Sequence, residues 1–402
     1  MMNTSPPLRI RRFLCAFCAL FCFVSVLLPV AAQAAGAPGA TDGQELTAAQ
    51  AEQMRAADDA VAALTESEDF QALTPEQRGQ AALAELEALA GQGLVQPGSI
   101  YLDEENGLVS FAYTCGALGG LWVTPPQEQD NSLDLDTAAP AALSLLDEEN
   151  YTAVGNAIIY YAFDNTVNSN RYPYYAYMQA FWTSVGMPTA LDTTVTVADL
   201  RRMNQYNICL ISAHGAYYTY TSGLFWKRLR TVPLLILPER SSTWNDLRYG
   251  MELLCQRVIK IGGFYCVTPD FFRAAYHKGQ LHSTIILSEA CEFFGVDGSI
   301  DDSMAQALLD GGAPTVVGFV NSVYSAYSRS MMWDVVNQFI QGRTIQQALQ
   351  HAMELYGTDD IVWYTSRGGQ NPHLAAAYPL LYGDPEIAFA TPRPQEQAPQ
   401  AA

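Results

Sequence analysis

The sequence predicts an α/β fold, a mostly parallel sheet sandwiched by helices over residues 151–390, preceded by a small α+β N-terminal unit. Three observations predict it. Apolar blocks recur at Ala157–Phe163, Ile208–Ser212, Thr284–Ser288 and Thr315–Val320, and continuous apolar runs of this length read as strands buried on both faces. Helical patterns alternate with them, at Tyr172–Val185, Asp199–Gln205, Ser303–Asp310 and Arg329–Gln341, the last of them amphipathic, the order that a parallel sheet with crossover helices requires. Finally, two blocks run into a reactive side chain: NICLISAHG breaks off at His214, and STIILSEACEFFG at Cys291. Ligands of open α/β sheets bind outside the carboxyl ends of the strands. A Cys–His site at one rim of the sheet is therefore the first functional expectation.

Composition narrows the class of protein. Of 402 residues 49% are hydrophobic and 15% charged, which supports a sizeable core and excludes wholesale disorder. A net charge of −20 speaks against nucleic acid or anionic membrane as partner, since both need clustered Lys and Arg. Residues 1–34 stand apart. Arg9, Arg11 and Arg12 precede the apolar run Phe13–Val30, and Ala32-Gln33-Ala34 follows. This is a secretory signal pattern with cleavage expected after Ala34, which places the remainder outside the cytoplasm, secreted or in the cell envelope, with no membrane attachment after cleavage. The rival reading is an uncleaved anchor helix, because the run reaches the lower edge of spanning length. Past this segment remain Cys115, Cys209, Cys255, Cys266 and Cys291, an odd number without zinc-like spacing. Cys255 and Cys266 could bridge a local hairpin, whereas Cys209 inside an apolar strand reads as a small buried hydrophobe.

The elements follow in order. After an Ala/Gly-rich lead, Thr47–Thr65 is helical, and a second helix runs from Pro75 to Ala90, with Thr74 and Gln77 as a capping box and Pro75 at its first position. Strands are expected at Ser99–Asp103, Leu108–Thr114 and Gly120–Thr124, then an acidic linker at Pro125–Pro140. This unit over 35–150 carries no chemical motif and reads either as a propeptide covering the site or as an accessory domain. Between the histidine and cysteine blocks lies a long insertion, Tyr217–His282, with a strand at Val232–Leu237, a hairpin around Val258–Val267 and a short helix from Asp270. Thr344 and Gln347 form another capping box for a helix reaching Leu355. The segment closes at Leu381-Tyr382-Gly383-Asp384-Pro385, before a Pro/Gln-rich tail expected to be disordered.

The two reactive residues suit each other. A thiol is a nucleophile as thiolate, and a nearby imidazole supplies that state. Gly215 beside the histidine lets a backbone N–H approach a reacting carbonyl, and with the N–H of Cys291 it would form an oxyanion hole. Each half alone has a bland explanation, a buried cysteine or a His-Gly turn. His277, His282, His351 and His373 lack metal-like spacing, so no metal or other cofactor is expected.

Together the apolar block–His–Gly and apolar block–Ala–Cys resemble the caspase, gingipain, legumain and clostripain superfamily of cysteine peptidases. The stretch ACEFFGVDGSIDDSMAQALLDGGAPTVVGFVNSVYSAYS, then QGRTIQQALQHA and LYGDP, is similar to CHAT domains and the gingipain-type catalytic domain. The likeness covers residues 151–390. It implies a caspase-like α/β/α sandwich and a thiol hydrolase that cuts peptide bonds in a peptide or protein substrate. His214 would then be the general acid/base, Cys291 the nucleophile and Gly215 part of the oxyanion hole. Two departures stand out: Glu289 occupies the position before Ala-Cys where caspases carry Gln, and the His-to-Cys span is unusually long. Asp164, ending the first strand, would suit an Arg or Lys side chain before the cut bond, although a turn-forming Asp-Asn pair is the simpler reading of it. Asn321 and Tyr324 are further candidate pocket walls. The basic run Lys227–Arg230 is then a candidate autoprocessing site. The rival class is a non-catalytic caspase-like binding scaffold of the cell envelope.

Overall fold

A computed structural model describes residues 45–124, 155–163, 173–222, 227–370, 372 and 375–388. The signal segment, the acidic linker Pro125–Pro140, Asp164, His373 and the Pro/Gln-rich tail lie outside the described residues.

Local sequence chemistry sets the N-terminal unit. Helix α1 (Ala48–Thr65) begins where the Thr47 side chain accepts the Gln50 N–H and the Gln50 side chain accepts the Thr47 N–H, which satisfies two donors that a helix start leaves orphaned. Helix α2 (Pro75–Gly91) opens on the same box, built from Thr74 and Gln77. Strands β1 (Tyr101–Asp103), β2 (Leu108–Ala112) and β3 (Leu118–Trp122) form an antiparallel meander.

The second half supplies β4 (Ala157–Ala162), α3 (Pro173–Ser184), β5 (Thr189–Asp192), a 3-10 helix at Asp199–Gln205, and β6 (Ile208–Ser222). The insertion contributes β7 (Arg228–Arg240), β8 (Val258–Ile261) and β9 (Phe264–Val267), with a short helix at Pro269–Ala275. Then come β10 (Ile285–Ser288), the hairpin β11 (Gly295–Val296) with β12 (Ser299–Ile300), α4 (Ser303–Asp310), β13 (Thr315–Val320), α5 (Ser325–Ile340), α6 (Ile345–Tyr356), α7 (Asp360–Ser366) and β14 (Tyr378–Gly383).

The described strands, the β11–β12 hairpin apart, form one 12-stranded mixed sheet, and the expectation of a mostly parallel sheet is corrected here. Strands β5, β4, β6, β10 and β13 lie parallel in that order and β14 closes the edge antiparallel. In the rest, β6 pairs antiparallel with β7, β7 with β9, and β9 with β8, the chain passing from β7 to β8 through helices at Thr243–Arg248 and Gly250–Leu254. Antiparallel neighbours can be joined by a tight turn, and Gly262-Gly263, both at positive φ, turn β8 into β9. Strand β8 then meets β3 in parallel, so the N-terminal meander belongs to the same sheet.

Strand β6 also departs from expectation. The apolar block does not break off at His214. Its first half, Ile208–Ala213, lies between β4 and β10, and the second half, His214–Ser222, continues against β7. The tail YYTYT is rich in β-branched and aromatic residues, which favours continuing the strand.

Side chains alternate across the sheet. Ile158, Tyr160, Cys209, Ile211, Ala213 and Ile286 pack on one face with Phe271, Phe272 and Met304. Ala157, Ile159, Ile208, Leu210, Ile285 and Leu287 pack on the other with α3 and α5. Helix α5 starts at Ser325 rather than Arg329 and is buried on nearly every side, including Arg329, Asp334, Asn337 and Gln338, so the amphipathic reading of it is corrected. Its polar groups are matched in part: Trp182 donates to Asn337, Gln338 to Asp334, and Asp334 faces His351 at 2.7 Å, while Trp333 Nε1, Asn337 Nδ2 and Gln338 Oε1 are buried without a hydrogen-bond partner among the described residues.

The N-terminal unit is fastened to the insertion by charge as well as by strand pairing. The Lys260 ammonium, 1% exposed, lies 2.6 Å from Asp58 of α1 and 2.7 Å from Asp246 of the insertion. Tyr113 donates to Asp58, and Tyr265 donates to Asp246 at 2.7 Å. A buried ammonium without partners is costly, so two carboxylates from different parts of the chain fix their relative placement.

Candidate active site

Strand register brings the two reactive residues together. Strands β6 and β10 are parallel, with Ile211 opposite Ser288. His214 stands three residues past Ile211, and Cys291 three residues past Ser288. The Glu289 N–H still donates to the Ile211 carbonyl at 2.8 Å, holding the two chains side by side up to that point. Gly215 shows how closely they continue. A Cβ placed on it would lie 1.8 Å from the Cys291 carbonyl oxygen and 3.3 Å from the Cys291 nitrogen. Glycine is required there because the Cys291 backbone occupies the space of a side chain.

Both reactive side chains face the α3–α5 side of the sheet. Cys291 packs against that cluster, and His214 alternates in phase with Ile208 and Leu210. The imidazole rests edge-on against Phe163, with ring centroids 4.6 Å apart. Burial sets the charge states. It lowers His214 to about 4 and pushes the Cys291 thiol up to about 12, with Glu292 and Asp360 adding in the same direction. At neutral pH the resting pair is a thiol and a neutral imidazole.

A buried polar group lies directly beneath. The Tyr175 hydroxyl of α3 donates to Glu289 and meets Ser212 at 2.6 Å. Ser212 is two residues before His214, and Glu289 two before Cys291, so one hydroxyl staples both chains. Burial raises the Glu289 carboxyl, and Arg329, lying 5.1 Å from the Tyr174 ring centroid, opposes that rise. The sequence offered one sign of this group, a lone Glu at the end of an apolar block, but Tyr175 and Arg329 come from distant helices.

Other predicted site residues have different surroundings. Asn321 is 5% exposed, and its side chain donates to the Ala376 carbonyl at 2.9 Å and accepts the Gly298 N–H at 3.2 Å. Tyr324 stacks on Tyr364 at 4.5 Å, and its N–H donates to Asp360. Both residues sit at the rim after β13, on the turn that meets Cys291. Cys115, Cys209, Cys255 and Cys266 are free thiols, so the Cys255–Cys266 bridge is absent. His282 is bound to the Gly279 carbonyl and His351 to Asp334.

No protein-family model matches the chain, and no curated protein is similar to it. Among the described residues no helix is long and apolar enough to cross a membrane.

Proposed function

We propose that this chain is a secreted, caspase-like cysteine endopeptidase, with Cys291 as nucleophile and His214 as general acid/base. The observation that supports it best is the close approach of Gly215 to the Cys291 backbone, at the carboxyl end of the parallel strands. The order β5–β4–β6–β10–β13–β14, with helices on both faces, is compatible with a caspase-like α/β/α core. In the reaction His214 takes the thiol proton as Cys291 sulfur bonds to the substrate carbonyl carbon. It then returns that proton to the leaving amine, which leaves a thioester for water to hydrolyse. Backbone N–H groups at Gly215 and Cys291 are the proposed oxyanion donors.

The energetics are compatible with this chemistry. With the thiol at about 12 and the imidazole at about 4, proton transfer in the resting site is uphill by about 11 kcal/mol. That cost fits beneath the barrier of about 16 kcal/mol that turnover near ~10 per second implies. Substrate contacts, rather than a standing ion pair, must therefore drive activation.

A preference for Arg or Lys before the cut rests on Asp164, beyond the described residues. Arg228–Arg230 are exposed but paired with Tyr220–Ser222 in the β6–β7 hairpin. Self-cleavage there requires the hairpin end to fray, and an intact chain in an active preparation removes that part of the proposal.

One observation favours a second reading, a non-catalytic scaffold: a neutral, buried thiol and imidazole are also what inert packing gives. Fluorogenic peptides varying the residue before the cut separate the two. The peptidase reading expects turnover that the Cys291→Ala protein lacks, and equal turnover by both proteins removes it.

A further inference from the structure

The Cys291 sulfur has a backbone partner that the dyad does not require. The Val323 N–H donates to Cys291 Sγ at 3.4 Å, and the sulfur lies 3.7 Å from the Val323 carbonyl. Val323 belongs to the turn after β13, so the segment carrying the nucleophile and the segment leaving the next strand cross at the sulfur.

That crossing is held in an unusual conformation. Among the described residues four non-glycine residues have positive φ, and three of them, Glu292 (55°), Asp297 (51°) and Asn321 (67°), lie on these two segments. Left-handed backbone is unfavourable for residues with a Cβ, and such strain persists only where surrounding bonds over-determine it. Here they do. The Glu292 N–H donates to the Asn321 carbonyl and the Asn321 N–H to the Gly295 carbonyl, each at 2.9 Å. The Ser322 hydroxyl donates to Glu292 Oε1 at 2.9 Å. The Asn321 side chain completes the lattice through the Gly298 N–H and the Ala376 carbonyl. Asp360 accepts the N–H groups of both Tyr324 and Ala377, which fixes the far side of the turn.

We propose that the Asn321–Val323 turn is a sulfur clamp, in which the Val323 N–H stabilises negative charge on Cys291 Sγ during reaction and Asn321 is the positioning residue that holds it there. The inference rests on the reading of Cys291 as the nucleophile. A donor here has a clear electrostatic purpose. The charged groups acting on the sulfur are the carboxylates Glu292 and Asp360, both of which disfavour a thiolate, while the Val323 peptide favours it. Because the Glu292 carboxylate is itself tied to Ser322, the same lattice that supplies the donor keeps one of the opposing charges at a fixed place.

The test is the pH profile of Cys291 alkylation by iodoacetamide, read peptide by peptide by mass spectrometry on the full chain. Asn321→Gly keeps access to positive φ but removes both side-chain bonds. It is expected to slow Cys291 alkylation at pH 8 about five- to tenfold, the loss of one ordinary hydrogen bond, and to move the profile to higher pH. Alkylation of Cys115 and Cys255 is expected to stay unchanged. Ser322→Ala, which removes only the bond to Glu292, should move the profile the same way by a smaller amount. It decides the matter if the Asn321→Gly protein loses its native near-ultraviolet circular dichroism. Wild-type rates and profile in the folded variants overturn the clamp. Alkylation needs no turnover, so loss of the clamp is distinguishable from loss of the peptidase reading, which fails instead if Cys291→Ala turns over peptide as fast as wild type.

Discussion

Gly215→Ala is the substitution that the geometry judges most sharply. The new methyl would sit 1.8 Å from the Cys291 carbonyl oxygen and 2.9 Å from its carbon, and Cβ contacts under 3.0 Å essentially never occur. Neither neighbour is a flexible side-chain tip that can swing aside; both are backbone. The Cys291 segment must therefore retreat by about 1.2 Å, and a displacement near 1 Å at reacting groups costs on the order of 100-fold in rate. The expected outcome is a fall in kcat of that size with peptide substrates. The cost in stability should be about 1–3 kcal/mol, the usual price of overpacking, read from the urea midpoint. Gly91→Ala is the control, since nothing lies within 4 Å of its added carbon. Wild-type turnover and stability for Gly215→Ala would refute the claimed approach of the two chains.

Three further outcomes follow from the buried polar groups. Burial holds His214 at about 4 against an ordinary 6.5, so the unfolded chain binds a proton there that the folded one does not. This residue thus costs stability as pH falls from 6.5 to 4, about 3 kcal/mol in full; His214→Asn should lose that share of the acid slope in urea titrations, and an unchanged slope contradicts it. Tyr175→Phe strands a buried carboxyl and hydroxyl at Glu289 and Ser212 and is expected to cost about 1–3 kcal/mol, with a difference under ~0.5 kcal/mol counting against the staple. Asp246→Asn removes one of the two charges on Lys260 while Asp58 stays paired with it, for which chemical denaturation should show a loss of about 1.5–3 kcal/mol.

Much of this architecture was legible because it is local. The capping boxes at Thr74 and Thr344, the strand Thr315–Val320 and the helix Ser303–Asp310 depend on residues a few positions apart. What escaped depends on partners far along the chain. Strand β6 runs through His214 because β7, from the insertion, offers it a second antiparallel edge. Strand β14 was legible only as a closing segment, since its role comes from pairing with β13. Helix α5 looked amphipathic because Arg329, Asp334 and Gln338 are polar, yet Tyr174, His351 and neighbouring side chains absorb those groups inside the core. At the candidate site, His214, Gly215 and Cys291 were read from the ends of apolar blocks, and Glu289 from its place before Ala290-Cys291. Tyr175 and the Val323 amide were not, because their hydrogen bonds, to Glu289 and to Cys291, span 114 and 32 residues of sequence.

The central claim is that Cys291 attacks and His214 moves the proton. Its most direct test is steady-state turnover of a peptide panel by wild type, Cys291→Ala and His214→Ala, with trapping of the acyl-enzyme on Cys291 by mass spectrometry. The account predicts turnover and a thioester-linked adduct for wild type alone. Turnover that persists at the wild-type rate in Cys291→Ala, or an adduct on another residue, would contradict it.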